Sequence, residues 1–325
     1  MLAGKGYYIW KIPLCEGGDP ARIAAAAQEA ALSHVEIKIA DGIYAYNRGL
    51  IEPLVLALHA VEIEAWGWQY TYGQRPEEEA RLAAGLVDGL GLDGFVANAE
   101  VEYKTPGGRD RALAYMDVLT DKMPAVEIAL SSFRFPSYHP QFPFDAFLRS
   151  CDFAMPQVYW MQAHNAGAQL RRSVTEYKQF GRPYYPTGAA FMEHGWKATG
   201  AEVTEFLNTC RDLKLPGANF WEWGNAKRYA FDCWQASSNF AWPTDGEPQP
   251  EPTPDEGLRA VVLVNGLAVR SGPGLSYPLV AGVNRLAAGS ELEITGVDGT
   301  DVWVEHGPGR WSALRRGTTR YMEME

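Results

Sequence analysis

Eight short apolar runs alternate with amphipathic segments along the first three-quarters of this 325-residue chain, and that alternation restricts the fold more than any other feature. The runs are 6–12, 34–40, 62–72, 94–103, 125–133, 153–160, 182–191 and 218–223, and the spacing predicts helices over 20–32, 49–60, 77–90, 109–122, 166–180 and 199–213. Asp19-Pro20 supplies a cap and a first-turn proline, and Arg75-Pro76-Glu77-Glu78-Glu79 places acids on the positive end of a helix dipole. Nearly continuous apolar strands that alternate with helices imply a parallel sheet covered on both faces, and eight repeats imply closure into a (β/α)8 barrel. A doubly wound open sheet is the competing arrangement. It is disfavoured because no glycine-rich phosphate loop follows an early strand.

The fourth run, Asp93-Gly94-Phe95-Val96-Ala97-Asn98-Ala99-Glu100-Val101-Glu102-Tyr103, carries the first chemical signal. If it is extended throughout, Asn98, Glu100 and Glu102 share one face and the apolar residues take the other. Burial without a partner raises a carboxyl pKa, which suits a general acid near neutrality. In a barrel the C-terminal strand ends converge on one mouth. The sixth strand would bring Gln157 and Tyr159 there, and the eighth would bring Glu222 between Trp221 and Trp223. Trp66, Trp68, Tyr70 and Trp160 are further candidate stacking platforms for a ligand, and Lys38 on the second strand is a candidate substrate contact.

Each candidate has a structural reading beside the functional one. Glu100 can be an ion-pair partner of Lys38, Glu102 a rim charge, and Glu222 a helix cap or a partner of Arg228. Several of the aromatics can belong to the barrel core, and His139 and His164 can be solvated loop residues.

The balance of 29 basic against 40 acidic residues, a net charge of −11, argues against a nucleic-acid partner. No run reaches the roughly 18 apolar residues of a membrane span. Residues 1–6 lead into the first strand with no signal-peptide core, so either cytosolic synthesis or a removed leader is expected. Cys15, Cys151, Cys210 and Cys233 fit no metal spacing and read as buried free thiols, with a Cys15–Cys233 bridge left open. The absence of His-x-x-x-His or paired His and Cys spacing argues against zinc.

Prolines at 243, 248, 250, 252 and 254 mark 243–257 as a semi-rigid linker between a barrel domain at 1–242 and a tail at 258–325 that reads as short strands. The tail segment Leu267-Ala268-Val269-Arg270-Ser271-Gly272-Pro273-Gly274-Leu275-Ser276-Tyr277-Pro278 resembles the signature of bacterial SH3-like domains. Leu286–Ile294 and Val302-Trp303-Val304-Glu305 match the strands that follow it, while Ala268 departs from the usual Asn. The resemblance implies a small all-β barrel that targets bacterial cell walls or other polymers.

In the barrel, residues 93–100 resemble the fourth-strand motif of family-18 chitinases, whose aspartate two positions before the glutamate orients the substrate acetamide. Met155-Pro156-Gln157-Val158-Tyr159 and the tryptophan-rich eighth strand are similar to their counterparts there, although Val96 and Asn98 stand where that family has acids. Asn98-x-Glu100 instead resembles family-85 endo-N-acetylglucosaminidases, and His34–Gly42 with Asn98-x-Glu100 resembles family-25 lysozymes.

These resemblances imply a TIM-barrel glycoside hydrolase with Glu100 as proton donor, Asn98 holding the acetamide, and Tyr159 bonded to the same carbonyl. The expected partner is a polysaccharide, with bacterial cell-wall peptidoglycan the leading choice. The expected setting is extracellular or at the cell envelope, by secretion or phage-type release. A monomer without cofactor or metal is expected, because protonation and acetamide attack need neither. Two alternatives stand: a barrel that only binds carbohydrate or serves as an envelope scaffold, and a glycosidase that uses Glu100 with Glu222 on another polysaccharide.

Overall fold

The computed structural model describes residues 2–242 and, beyond them, 259–324 except 272–274, 276, 282–284, 289, 294–295, 299–302, 307–309, 314 and 317–318. The chain divides into two compact units, Met1–Thr244 and Asp245–Glu325.

The first unit is built on eight parallel strands: β1 (Gly4–Ile9), β2 (His34–Asp41), β3 (Glu64–Thr71), β4 (Gly94–Ala99), β5 (Glu127–Phe133), β6 (Phe153–Val158), β7 (Thr187–Ala189) and β8 (Gly217–Trp221). Each pairs with its successor, and β1 pairs with both β2 and β8, which closes the barrel. The helices are α1 (Pro20–Glu29), α2 (Ile51–His59), α3 (Pro76–Leu90), α4 (Gly108–Lys122), α5 (Phe144–Leu148), α6 (Ala166–Tyr177), α7 (Gly200–Asp212), α8 (Trp223–Tyr229) and α9 (Phe231–Asn239).

The two-residue period of the strands divides the interior. Val35, Ile37, Ile39, Phe95, Ala97, Ala99, Ala218 and Phe220 belong to the large core shared with the helices. Their neighbours along the chain fill the lumen, where Tyr8, Trp66, Trp68, Val96, Ala129, Phe153, Met155 and Tyr185 pack together. Gly94 makes this possible on β4, since a Cβ there would meet the Trp66 ring at 2.4 Å.

Several boundaries differ from the sequence expectation for local reasons. β1 ends at Ile9 because the chain enters a 3-10 turn, Ile12–Leu14, around Pro13. β7 has only three residues, since Pro183 and Pro186 give carbonyls to neighbouring strands but have no N–H for a ladder. β4 ends at Ala99, and Val101–Lys104 is a 3-10 turn, so strand alternation does not extend to Glu102. The sequence expectation gave no range for α5, α8 and α9, although it allowed a helix capped by Glu222; their 5 to 9 residues are too short for a clear helical period.

Helix starts follow their chemistry. The Asp19 carboxylate accepts from the N–H of Ala21 and Arg22. Buried Glu79, in the first turn of α3, reaches back to the end of β3. Its carboxylate accepts from Thr71 Oγ1 (2.6 Å) and from the N–H groups of Tyr72, Gly73 and Arg75 (2.8, 3.1 and 3.1 Å). Glu79→Ala strands four donors and is expected to destabilise the barrel by about 3 kcal/mol. The check is the urea midpoint: a shift corresponding to less than about 1 kcal/mol contradicts this role. All four cysteines are free and buried, so the Cys15–Cys233 bridge is not formed.

The second unit is antiparallel β-structure among its described residues. Arg259–Val262 pairs with Glu291–Glu293 and Met322–Met324, and Gly296–Asp298, Trp303–Glu305 and Trp311–Ala313 form a meander. Val262, Leu267, Val304 and Met322 form its small core. The expected linker, and Gly272, Pro273, Gly274 and Ser276 of the SH3-like motif, lie outside the described residues.

Candidate active site at the mouth of the barrel

Parallel strands deliver their C-terminal residues to one rim, so the polar lumen residues of β4, β5 and β6 meet there. Gln157 on β6 organises the centre. Its Nε2 donates to Glu100 Oε1 at 2.9 Å and to Asn98 Oδ1 at 3.0 Å, and lies 3.4 Å from Ser131 Oγ on β5. Glu100 follows β4 directly and keeps partial exposure, while Asn98 within the strand is buried. Tyr70 on β3 donates its hydroxyl to Glu102, at 3.0 Å to Oε2 and 3.2 Å to Oε1. Glu102 therefore borders the site from the 3-10 turn rather than from the strand.

The electrostatics of Glu100 differ from those of an ordinary surface carboxyl. Burial raises its pKa and the charge of Glu102 adds to the rise, while hydrogen bonds from Gln157 and Asn98 and the charge of Lys104 oppose it. Tyr70 is also raised, by burial first and then by Glu100 and Glu102. The Tyr159 hydroxyl is raised by burial and lies in the fields of Tyr8 and Glu100, with its ring against Phe191. Both phenols thus remain hydrogen-bond donors across the working pH range.

Lys38 does not bind Glu100. Its ammonium is 2.7 Å from Asp41 Oδ2 and sits over the rings of Tyr46 (4.6 Å) and Trp68 (4.9 Å). Asp41 also accepts from the Tyr72 hydroxyl, which that bond raises to about 12. The ion-pair reading of Glu100 therefore fails, and the carboxyl is left available at the rim.

The aromatic candidates separate by position. Trp68 and Trp221 form an edge-on pair at 5.5 Å, and Tyr8 packs on both. Trp66 lies deeper, against Phe153, with its Nε1 bonded to Glu64, which removes it from the mouth. Trp160 packs on Phe206 of α7, and Trp223 on Trp234 of α9, so both belong to the helix layer rather than to a groove. Trp10, which the sequence reading did not select, stands beside Trp221 at 6.4 Å and is 41% exposed. Its position immediately after β1 was the available signal.

Glu222 takes the helix-cap position that its structural reading gave it. It is the N-cap of α8, and its carboxylate accepts from the N–H of Asn225 (2.6 Å) and Gly224 (3.1 Å). Burial raises its pKa, yet both oxygens are engaged by the helix start, and no ion pair with Arg228 forms among the described residues. His164 bonds Glu202, and His139 bonds Lys104. Among the described residues no group of three His, Cys, Asp or Glu side chains is placed to hold a metal, and no helix is long and apolar enough to cross a membrane.

No family model and no curated protein sequence matches this chain. Solved structures do. A chitinase from Chromobacterium violaceum aligns with a TM-score of 0.56 at 11% identity, over 73% of this chain and 98% of the other. A glycoside hydrolase family 18 N-acetylglucosaminidase from Paenibacillus barengoltzii aligns with 0.56 at 11%, over 73% and 99%. An endo-1,4-beta-D-mannanase from Thermotoga petrophila RKU-1 aligns with 0.54 at 10%, over 68% and 88%. At such identities the likeness establishes the fold of the matched part alone, a (β/α)8 barrel.

Proposed function

We propose that this protein is a glycoside hydrolase that cleaves a polymer of N-acetylated amino sugars, with Glu100 as proton donor and the substrate's own acetamide as nucleophile. The observation that carries the reading is one partly exposed, pKa-raised carboxyl held by Gln157 beside the buried amide of Asn98, at the rim where barrel enzymes place their chemistry. The chitinase and N-acetylglucosaminidase among the similar structures fit this substrate class.

In this mechanism Glu100 gives its proton to the glycosidic oxygen as the bond to the anomeric carbon breaks. The acetamide carbonyl oxygen attacks that carbon from the opposite face. Asn98 Oδ1 accepts one hydrogen bond from Gln157 and has a second lone pair for the acetamide N–H, which fixes the carbonyl beneath the reacting carbon. Water then opens the cyclic intermediate, with Glu100 now acting as base. Trp10 and Trp221 are placed to hold the apolar faces of adjoining sugars.

The reading that pairs Glu100 with Glu222 loses support because the helix start occupies Glu222, while a binding-only barrel rests on Val96 and Asn98 standing where family-18 chitinases have acids. The sequence of the second unit suggests that it is an SH3-like module directing the enzyme to a bacterial envelope, so peptidoglycan outside the cell is the favoured substrate. Reducing ends released from purified cell walls, or from chitin, test the activity. No release from either substrate contradicts it.

The acid must be protonated to work, so kcat/KM falls as pH rises through the Glu100 pKa. Glu102 raises that pKa. Glu102→Gln is therefore expected to move the alkaline limb of the pH profile to lower pH, and an unmoved or upward-shifted limb contradicts the coupling.

A further inference from the structure

We propose that Lys104, with His139 and Arg134, forms a subsite for a carboxylate on the sugar chain beside Glu100, so that the preferred polymer is an acidic amino-sugar polymer rather than neutral chitin. This rests on reading the Glu100 centre as glycosidic and narrows its substrate class.

The cluster stands on Phe133, at the end of β5. His139 stacks on that ring at 3.8 Å, and Lys104 Nζ lies 4.0 Å from the ring centroid. Lys104 donates to His139 Nδ1 at 2.6 Å, which requires that nitrogen to be unprotonated. Burial and the charges of Lys104 and Arg134 lower the His139 pKa, which keeps the imidazole an acceptor at neutral pH. An ammonium has three donors, and this arrangement uses one. Arg134 is partly buried with its guanidinium over Phe135, and neither it nor Lys104 forms an ion pair among the described residues. Arg172, by contrast, is already held by Glu176 and Tyr138.

Two observations make this more than surface charge. Lys104 lies within electrostatic reach of Glu100, yet its hydrogen bond goes to a neutral ring. The chain as a whole carries −11, a field that opposes an anionic polymer unless cations stand where it must bind. A substituent on C3 of an amino sugar neighbours the C2 acetamide. With that acetamide on Asn98 of β4, the proposal assigns the carboxylate of a C3 ether arm to the neighbouring Phe133 end of β5, where Lys104 stands.

The test uses the full chain carrying Glu100→Gln, which can bind without turnover, and calorimetric titration with two tetrasaccharides. One is chitotetraose. The other alternates N-acetylglucosamine with its 3-O-lactyl derivative, N-acetylmuramic acid. The acidic ligand is expected to bind about tenfold tighter at low salt, and adding Lys104→Gln or Arg134→Gln should remove that advantage while chitotetraose stays within about twofold. Equal binding of the two ligands with Lys104 present overturns the subsite and leaves the glycan reading intact, as does a parallel loss of both in the Lys104 and Arg134 variants. Binding of neither ligand by Glu100→Gln overturns the subsite and the glycan reading together.

Discussion

Glu100→Gln is expected to lower kcat on an N-acetylated amino-sugar polymer by about 10²–10⁴-fold, with KM changed little. The substitution keeps the size of the side chain and its contact with Gln157, and removes only the transferable proton. Burial and Glu102 raise the carboxyl pKa, so the wild-type acid form persists to higher pH than an ordinary glutamic acid. Three neighbouring carboxyls are already engaged. Glu102 is hydrogen-bonded by Tyr70, Glu222 caps α8, and Asp41 pairs with Lys38. The assay is initial-rate reducing-end release, with thermal unfolding as the control for folding. Retention of more than about a tenth of wild-type kcat contradicts the role of Glu100 as proton donor.

The second large effect is expected at Asn98. Truncation to Ala removes the acceptor that orients the acetamide, and with it the positioning of the internal nucleophile. Loss of one such contact in a preorganised site costs about 10²–10³-fold in kcat. The effect should be specific: Asn98→Ala should change the binding of the product sugar far less than it changes turnover, because the aromatic contacts of Trp10 and Trp221 remain. Gln157 then loses one acceptor and keeps Glu100, so the protein is expected to fold. A loss of product affinity with kcat unchanged would assign Asn98 to uniform binding and remove it from the chemical step.

The barrel was legible because its signals are redundant. Eight apolar runs with matching helical periods all point to one closure, and caps such as Asp19-Pro20 mark helix starts independently of hydrophobicity. The meeting of Asn98, Glu100 and Gln157 was legible too, since residues near the ends of β4 and β6 must share a rim in a closed barrel. Glu102 was misplaced by assuming that extended backbone continues past Ala99, although Thr105-Pro106-Gly107 lies just beyond. Trp66, Trp160 and Trp223 could not be separated from Trp68 and Trp221 by residue type. Depth along the lumen, and which face of a strand end turns outward, depend on strand stagger and on where each strand stops. Lys104 and His139 were missed as a pair because they lie on different loops, joined only by their shared contact with Phe133.

Proton NMR of the first product released from an N-acetylated amino-sugar oligomer tests the central claim most directly. Attack by the acetamide followed by attack of water gives two inversions, so the account predicts that the newly formed reducing end appears with the same anomeric configuration as the bond that was cut. First appearance of the opposite anomer, before mutarotation, would mean a single displacement by water and would contradict it.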